Sequence, residues 1–195
     1  EAIPMESMRQ GMHWDWETIP EYLDSLERAP KGVNCIQYLP TTSLMVYVMG
    51  LEAAKTRPAT DAEKAEMKRL LHEGMDAGLC GFSLQRLGPD SVQADYDGGP
   101  MVTDTMCDAD ILNLAEVLRE RGEGFIQITQ STGNIKGDLN FLEKLAESHR
   151  MQGIKLQAAV RLHEQFGQNW EGDPGSHISQ LMQIFDELLV SPKLE

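Results

Sequence analysis

The chain predicts an α/β fold in which parallel strands lie side by side and helices pack outside them. Three observations predict it. Apolar runs of strand length alternate with amphipathic stretches of helix length. Thr18 to Glu21 and Thr60 to Glu63 each carry the Thr-x-x-Glu spacing of a capping box, which marks a helix start. Gly78 and Gly122 end two of the helices just before a strand, so the helix-to-strand joins are short. Strand, helix, strand with short joins is the pattern of right-handed βαβ crossovers, which build a parallel sheet.

Each element has its own local signal. Thr18 as N-cap and Pro20 in the first turn open a helix from Ile19 to Ala29, and a Pro-Lys-Gly turn leads to an apolar run from Val33 to Leu39 that reads as a strand. Thr41, Thr42 and Ser43 are candidate caps for a short apolar helix from Leu44 to Met49. From Thr60 to Ala77, Met67, Leu70, Leu71 and Met75 form one apolar helix face, and the strand Leu79 to Leu84 follows at once. Asp108 is the predicted cap of a helix whose apolar face is Ile111, Leu114, Ala115 and Leu118, and Phe125 to Thr129 reads as the next strand. Leu139, Leu142, Leu145 and Ala146 mark another helix.

Beyond residue 150 the signals divide. Ile154, Leu156, Ala158, Val160 and Leu162 alternate as a strand would, whereas Lys155 to Phe166 is built from helix formers. Ile178, Leu181, Met182, Phe185, Leu188 and Leu189 give a helix that Ser176 can cap. Three clear strands and a divided fourth are too few to close a barrel of eight. The expectation is therefore an α/β chain forming a partial (β/α) TIM-barrel arc with parallel strands and outer helices over residues 1–150, continued by a mainly helical 151–195.

With 41% hydrophobic and 25% charged residues, the 195-residue chain has the composition of a globular protein large enough for one good core. Its formal charge of -14 repels phosphate backbones and anionic lipid, which argues against nucleic-acid and membrane partners. No apolar run has the length of a membrane span and no basic-then-apolar leader opens the chain at Glu1, so the expected location is cytoplasmic. Cys35, Cys80 and Cys107 are odd in number and widely spaced, unlike a disulfide framework or zinc knuckle. Cys35 and Cys80 lie in apolar runs where cysteine serves as a small hydrophobe. Cys107 lies in a polar stretch whose neighbours Asp104 and Asp108 disfavour a thiolate.

In a sheet of this kind function gathers in the loops that follow strands, and the longest such loop runs from Gln85 to Cys107. Arg86 is a candidate to hold a substrate carboxylate, because a guanidinium matches a planar carboxylate with two parallel bonds, and Tyr96 is a candidate to line the pocket. A solvated lid of turn residues is the plainer account of the same loop. Gln127 and Gln130, with Ser131 and Thr132, lie at the mouth of their strand, and Thr41 holds the corresponding place after the first strand; all can hydrogen-bond a substrate. The five histidines, His13, His72, His149, His163 and His177, include no His-x-His pair and read as solvated or capping. Asp90 to Asp95 lacks calcium-loop spacing, and no glycine run matches a phosphate-binding fingerprint.

One segment is more idiosyncratic than the rest. Trp14-Asp15-Trp16-Glu17-Thr18-Ile19-Pro20-Glu21-Tyr22-Leu23 resembles the Trp-x-Trp-x-(Ser/Thr)-x-x-Glu-Tyr-Leu signature of the D-aminoacylase-like branch of the amidohydrolase family. Ala59 to Glu63, Gly78 to Ser83 and Gly124 to Thr129 follow in that family's order, so the resemblance spans roughly residues 10 to 148. It implies a metal-dependent hydrolase of carbon-nitrogen bonds, acting on an amide or cyclic amide of a small molecule, with zinc as the expected divalent metal. It also implies a longer protein of which this chain is an internal, inactive piece.

The family's metal-ligand strand reads Tyr-x-Thr-His-x-Arg, and its histidine falls here on Ile128, within Phe125-Ile126-Gln127-Ile128-Thr129-Gln130. The family's Gly-His-Gly/Ser-Thr turn is here Leu39-Pro40-Thr41-Thr42-Ser43, so no metal ligand is assignable within the chain. Two further readings stand beside the hydrolase: a metal-free, catalytically inactive small-molecule binding protein derived from the barrel, and an acidic α/β interaction domain. An excised arc would also expose sheet edges and apolar interior, which invites self-association.

Overall fold

The computed structural model describes residues 5–91, 93–150 and 155–159. A first helix, α1 (Met5–Gly11), precedes the tryptophan segment, and α2 (Ile19–Arg28) follows it. The α2 capping box forms as its spacing predicts: the Glu21 amide donates to Thr18 Oγ1 at 3.4 Å and the Thr18 amide donates to Glu21 Oε2 at 2.9 Å. Asp15 is tied to the far side of the same helix, accepting from Ser25 Oγ at 2.6 Å and Arg28 Nη2 at 2.8 Å. Trp16 stacks on Trp14 and meets Tyr22 edge-on, with centroids 5.6 and 5.3 Å apart. The segment is thus a packed helix entrance.

The first strand, β1, is far shorter than its apolar run. Only Leu39–Pro40 pairs, while Val33 and Ile36 are 76% and 74% exposed. β-branched composition favours a strand only where a neighbour supplies hydrogen bonds and a packing face, and among the described residues Val33 to Ile36 have neither. Cys35, expected as a small core hydrophobe, is exposed for the same reason. Helix α3 (Thr41–Met49) begins at Thr41 itself, so Thr41 to Ser43 form its first turn instead of capping it; Pro40 holds the cap position without a side-chain bond.

Helix α4 (Leu51–Thr56) leads to α5 (Asp61–Ala77), whose Thr60–Glu63 box also forms, with Arg57 gripping Glu63 through both terminal nitrogens at 2.8 and 2.7 Å. Strand β2 (Gly81–Arg86) follows the left-handed Gly78. Gly81 has φ of 135°, and a Cβ there would meet the Phe125 carbonyl oxygen at 1.9 Å, so only glycine lets the next strand come this close. After a 3-10 turn at Val102–Thr105 comes α6 (Asp108–Arg121). Cys107 takes its cap position with no side-chain bond, so the expected Asp108 cap is corrected: Asp108 lies in the first turn and bonds elsewhere. Then come β3 (Phe125–Gln130), α7 (Ile135–Arg150) and β4 (Lys155–Ala159). The divided segment near residue 155 is thus a strand. The expected 178–189 helix and its Ser176 cap lie outside the described residues, as do His163 and His177.

Among the described residues all neighbouring strands are parallel and the sheet order is β1-β2-β3-β4, with no reversal of the kind that marks a doubly wound sheet. Burial alternates along β2 from Phe82 and along β3, which separates two faces. Phe82, Leu84, Ile126 and Ile128 are buried with Met67, Leu71, Ile111, Leu114, Leu118, Phe141 and Leu145 of the helices, and this is the core. Ser83, Gln85, Gln127 and Thr129 take the opposite face and are half-buried. No helix among the described residues is long and apolar enough to cross a membrane.

Candidate functional site

The carboxyl end of the sheet brings together residues that are far apart in the chain. Arg86 and Gln130 close β2 and β3 and are register partners, so their side chains leave the sheet on the same side from adjacent strands. Arg86 Nη1 donates to Asp108 Oδ1 at 2.8 Å, and its guanidinium lies 5.0 Å from the centroid of the Phe141 ring. The stacking and the ion pair together fix the plane of the fork, while Asp108 itself sits in the first turn of α6, where the helix dipole favours a negative group.

Gln130 is held from the other direction. Its Nε2 donates to Asp138 Oδ1 at 2.6 Å, and Asp138 also accepts from the Thr132 amide at 2.8 Å and Thr132 Oγ1 at 2.7 Å. Both Gln130 and Asp138 are buried. A carboxylate so surrounded is an acceptor only, which fixes the amide with its nitrogen toward Asp138. The consequence is an orphan: Gln130 Oε1 has no hydrogen-bond partner. An unmet acceptor at such a depth costs about 1–3 kcal/mol.

The loop from Gln85 to Cys107 folds back over this end. Asp104, buried, accepts the Leu87 amide at 2.7 Å and the Met101 amide at 3.2 Å and so pins the two ends of the loop together. Lys55 of α4 holds the loop tip, donating to Asp97 at 2.7 Å and pairing with Asp95 at 2.7 Å, with its ammonium 5.5 Å from the Tyr96 ring. Hydrogen bonds donated to the two carboxylates, Asp95 first, raise the Lys55 pKa, and the Lys55 bond lowers that of Asp95. Tyr96 is 80% exposed, so its ring covers the lysine on the outside of the loop and lines no cavity here. Thr41 is buried with Oγ1 unpartnered, and its neighbour Thr42 meets Thr103 hydroxyl to hydroxyl at 3.3 Å.

The sequence candidates therefore divide by place. Arg86 and Gln130 converge, Thr41 is enclosed at the start of α3 just after β1, Tyr96 is outside, and Gln127 lies on the opposite face of the sheet, paired in register with Ser83 and Gln157. Asp138, Asp104 and Lys55 were not legible as site residues. Their roles depend on tertiary partners, and only the position of Asp138 in the first turn of α7, soon after Gln130, hints at one.

The structure corrects the place given to Ile128. Ile128 is fully buried in the helix-facing core and does not project from the opposite face. Gln127 and Thr129 are the residues that face the other way, and neither amide nor hydroxyl suits a zinc centre. Among the described residues no group of three or more His, Cys, Asp or Glu side chains converges. His72, on α5, faces Glu120 of α6 at 3.2 Å on the outer surface. Cys80 is half-buried with Sγ donating to the Gln37 carbonyl at 3.2 Å, and burial raises its pKa, which removes it as a ready thiolate.

One cavity, of about 220 Å³, opens elsewhere, between the start of α2, β1, α3 and α5. Ile19, Leu39, Leu44, Tyr47 and Leu70 make it mainly apolar, and neither Arg86 nor Gln130 lines it.

No family model matches the chain. An uncharacterized protein of Mycobacterium tuberculosis is 28% identical over 166 residues, 82% of this chain and 27% of that protein. An N-acyl-D-aspartate deacylase and a D-aminoacylase of Alcaligenes xylosoxydans xylosoxydans are 38% and 31% identical over 94 and 91 residues, 48% and 47% of this chain and 18% of each enzyme. The chain thus spans about a quarter of the length of the first of these relatives and less of the enzymes. Among solved structures, the N-acyl-D-glutamate deacylase of Bordetella bronchiseptica, complexed with zinc and a phosphonate inhibitor, superposes with a TM-score of 0.56 over 87% of this chain and 32% of that one, at 17% identity. At that identity the likeness is one of fold, and across just under half of its length the sequence is similar to that of deacylases.

Proposed function

We propose that the chain is an arc of a TIM barrel in a hydrolase of carbon-nitrogen bonds of the N-acyl-D-amino-acid deacylase kind. The observation that carries this is the in-order parallel sheet with its outer helices, whose fold is similar to that of the zinc-bound deacylase across 87% of the chain. Sequence similarity to the two Alcaligenes enzymes supports the same branch. In this reading residues 1–150 belong to the barrel wall, 151–195 continue it, and the catalytic zinc is held by residues outside those described. The described residues do not fit a metal: the face opposite the helices offers Ser83, Gln85, Gln127 and Thr129, all uncharged. Their share of the work is to bind and orient a small-molecule substrate, with Arg86 and Gln130 at the mouth.

The metal-free binding protein was motivated by Ile128, and with that side chain in the helix-facing core the alternative loses its residue. The test is hydrolysis of N-acyl-D-amino acids by the longer protein that contains this sequence. Activity abolished by a chelator and restored by zinc, with none from the 195 residues alone, is the expected outcome. Activity in the isolated chain, or none in the longer protein with zinc supplied, overturns it.

A further inference from the structure

We infer that the cavity between the start of α2, β1, α3 and α5 is a binding site for a small primary amine with an aromatic body, the body enclosed and the ammonium at the opening. It lies in the helix layer, away from Arg86 and Gln130, and it stands independently of the hydrolase reading. At about 220 Å³ it exceeds the roughly 150 Å³ of an apolar cavity that takes up benzene, so a ring and a short chain fit. Ile19, Leu39, Leu44 and Leu70 form an aliphatic floor, which gives a ring apolar contact and asks for no hydrogen bond. The floor is fixed in advance. Ile19 is seated against Gly74 of α5, where an added Cβ would lie 3.3 Å from its methyl carbons, and the neighbouring Thr18 is held in the α2 capping box.

The opening decides the charge of the ligand. Tyr47 lines it and is 62% exposed, which offers an aromatic ring to a cation. Glu17 is exposed there, and its carboxylate has no partner among the described residues. Arg69 is the cation in the lining, and its guanidinium is already shared between two carboxylates: Nε and Nη2 donate to Glu66 at 2.8 Å each, and Nη1 donates to Glu73 at 2.8 Å. An anion would therefore find the arginine engaged and Glu17 and Glu73 beside it, whereas an ammonium meets both carboxylates and the tyrosine ring. The formal charge of -14 adds a field of the same sense.

Phenethylamine, phenethyl alcohol and hydrocinnamate share one body and differ in charge. Titrated into the 195-residue chain and followed by calorimetry and side-chain NMR, phenethylamine is expected to saturate and to shift the Leu44, Tyr47 and Leu70 signals. The alcohol should bind on the order of ten-fold more weakly, and hydrocinnamate more weakly still. Added salt should weaken the amine and leave the alcohol unchanged. Leu70→Phe fills the cavity and should abolish binding of all three. Glu17→Gln and Tyr47→Leu alter exposed side chains, so they keep the test open if Leu70→Phe does not fold; each should bring the amine toward the alcohol.

Equal binding of amine and alcohol, preference for hydrocinnamate, or no saturation by phenethylamine overturns the site. Shifts confined to other residues do the same. If the Leu44, Tyr47 and Leu70 signals move on dilution without any probe, a second copy of the chain covers the cavity, and that too overturns the amine.

Discussion

The two faces of one sheet differ in kind. Toward the helices, Phe82, Leu84, Ile126 and Ile128 are all but excluded from water, and every side chain there is apolar until the strands end at Arg86 and Gln130. On the opposite face the row Ser83, Gln85, Gln127 and Thr129 is half-buried, polar and uncharged. A parallel sheet is ordinarily covered on both sides, and its strands then read as continuous apolar runs. Here they alternate instead. One face therefore carries the stability of the described residues, and the other is free to take up polar chemistry without unfolding them.

The sharpest way to break that division is through the backbone between the strands. Gly81→Ala would drive a methyl into the Phe125 carbonyl at a φ that disfavours alanine, so the strands must separate or the change is not accommodated. A loss of about 3 kcal/mol or more is expected from urea unfolding. An unchanged midpoint would mean that β2 and β3 are not paired at this register. Next in size is a matched pair of neighbours on β3. Ile128→Ala should cost about 2–5 kcal/mol, as cavities in a packed core do, whereas Gln127→Ala should stay within about 0.5 kcal/mol. Equal costs would erase the distinction between the faces and restore Ile128 as a candidate for the open side.

This distinction was only half legible in the sequence. Helices with a local signature were readable: Thr18, Glu21, Thr60 and Glu63 form both predicted boxes, because a capping box is made by residues three apart and needs no tertiary partner. Strand β3 was readable for its alternation. What failed depended on neighbours. Val33 to Leu39 has strand composition but pairs only at Leu39 and Pro40, and Asp108 has cap chemistry but bonds Arg86 across the mouth. The parity of β3 was the costliest point: a short strand match does not say which residue faces which way, and one position of slip exchanges the faces. Arg86 and Gln130 could be nominated singly as loop-end polar residues. That they meet, and that Asp138 turns the glutamine amide, required the register.

A smaller effect bears on the helix layer that buries the apolar face. Thr60→Ala removes one half of the α5 box and should cost about 1 kcal/mol, less than any core change because the rest of α5 remains packed through Met67, Leu71 and Met75. A loss as large as that of Ile128→Ala would mean that the helix start, and not its buried face, holds the layer in place.

The smallest predicted effect is electrostatic and lies wholly on the outer surface of that layer. The Arg57 guanidinium, with help from the Thr60 amide and hydroxyl, lowers the Glu63 pKa from 4.5 to about 2. A carboxyl depressed in the folded state contributes stability that is complete above its unfolded pKa and fades as pH falls through the folded one. The contribution should therefore be intact at neutral pH and disappear between about 4.5 and 2. Because Arg57 and Glu63 face water, salt should weaken it further. Comparing unfolding of the native chain and Glu63→Gln across that range isolates the term, with the gap between them closing toward pH 2. A gap that persists at the acid end would assign the role of Glu63 to its shape in the capping box and not to its charge. The helix layer would then be held to the sheet by packing and local hydrogen bonds alone.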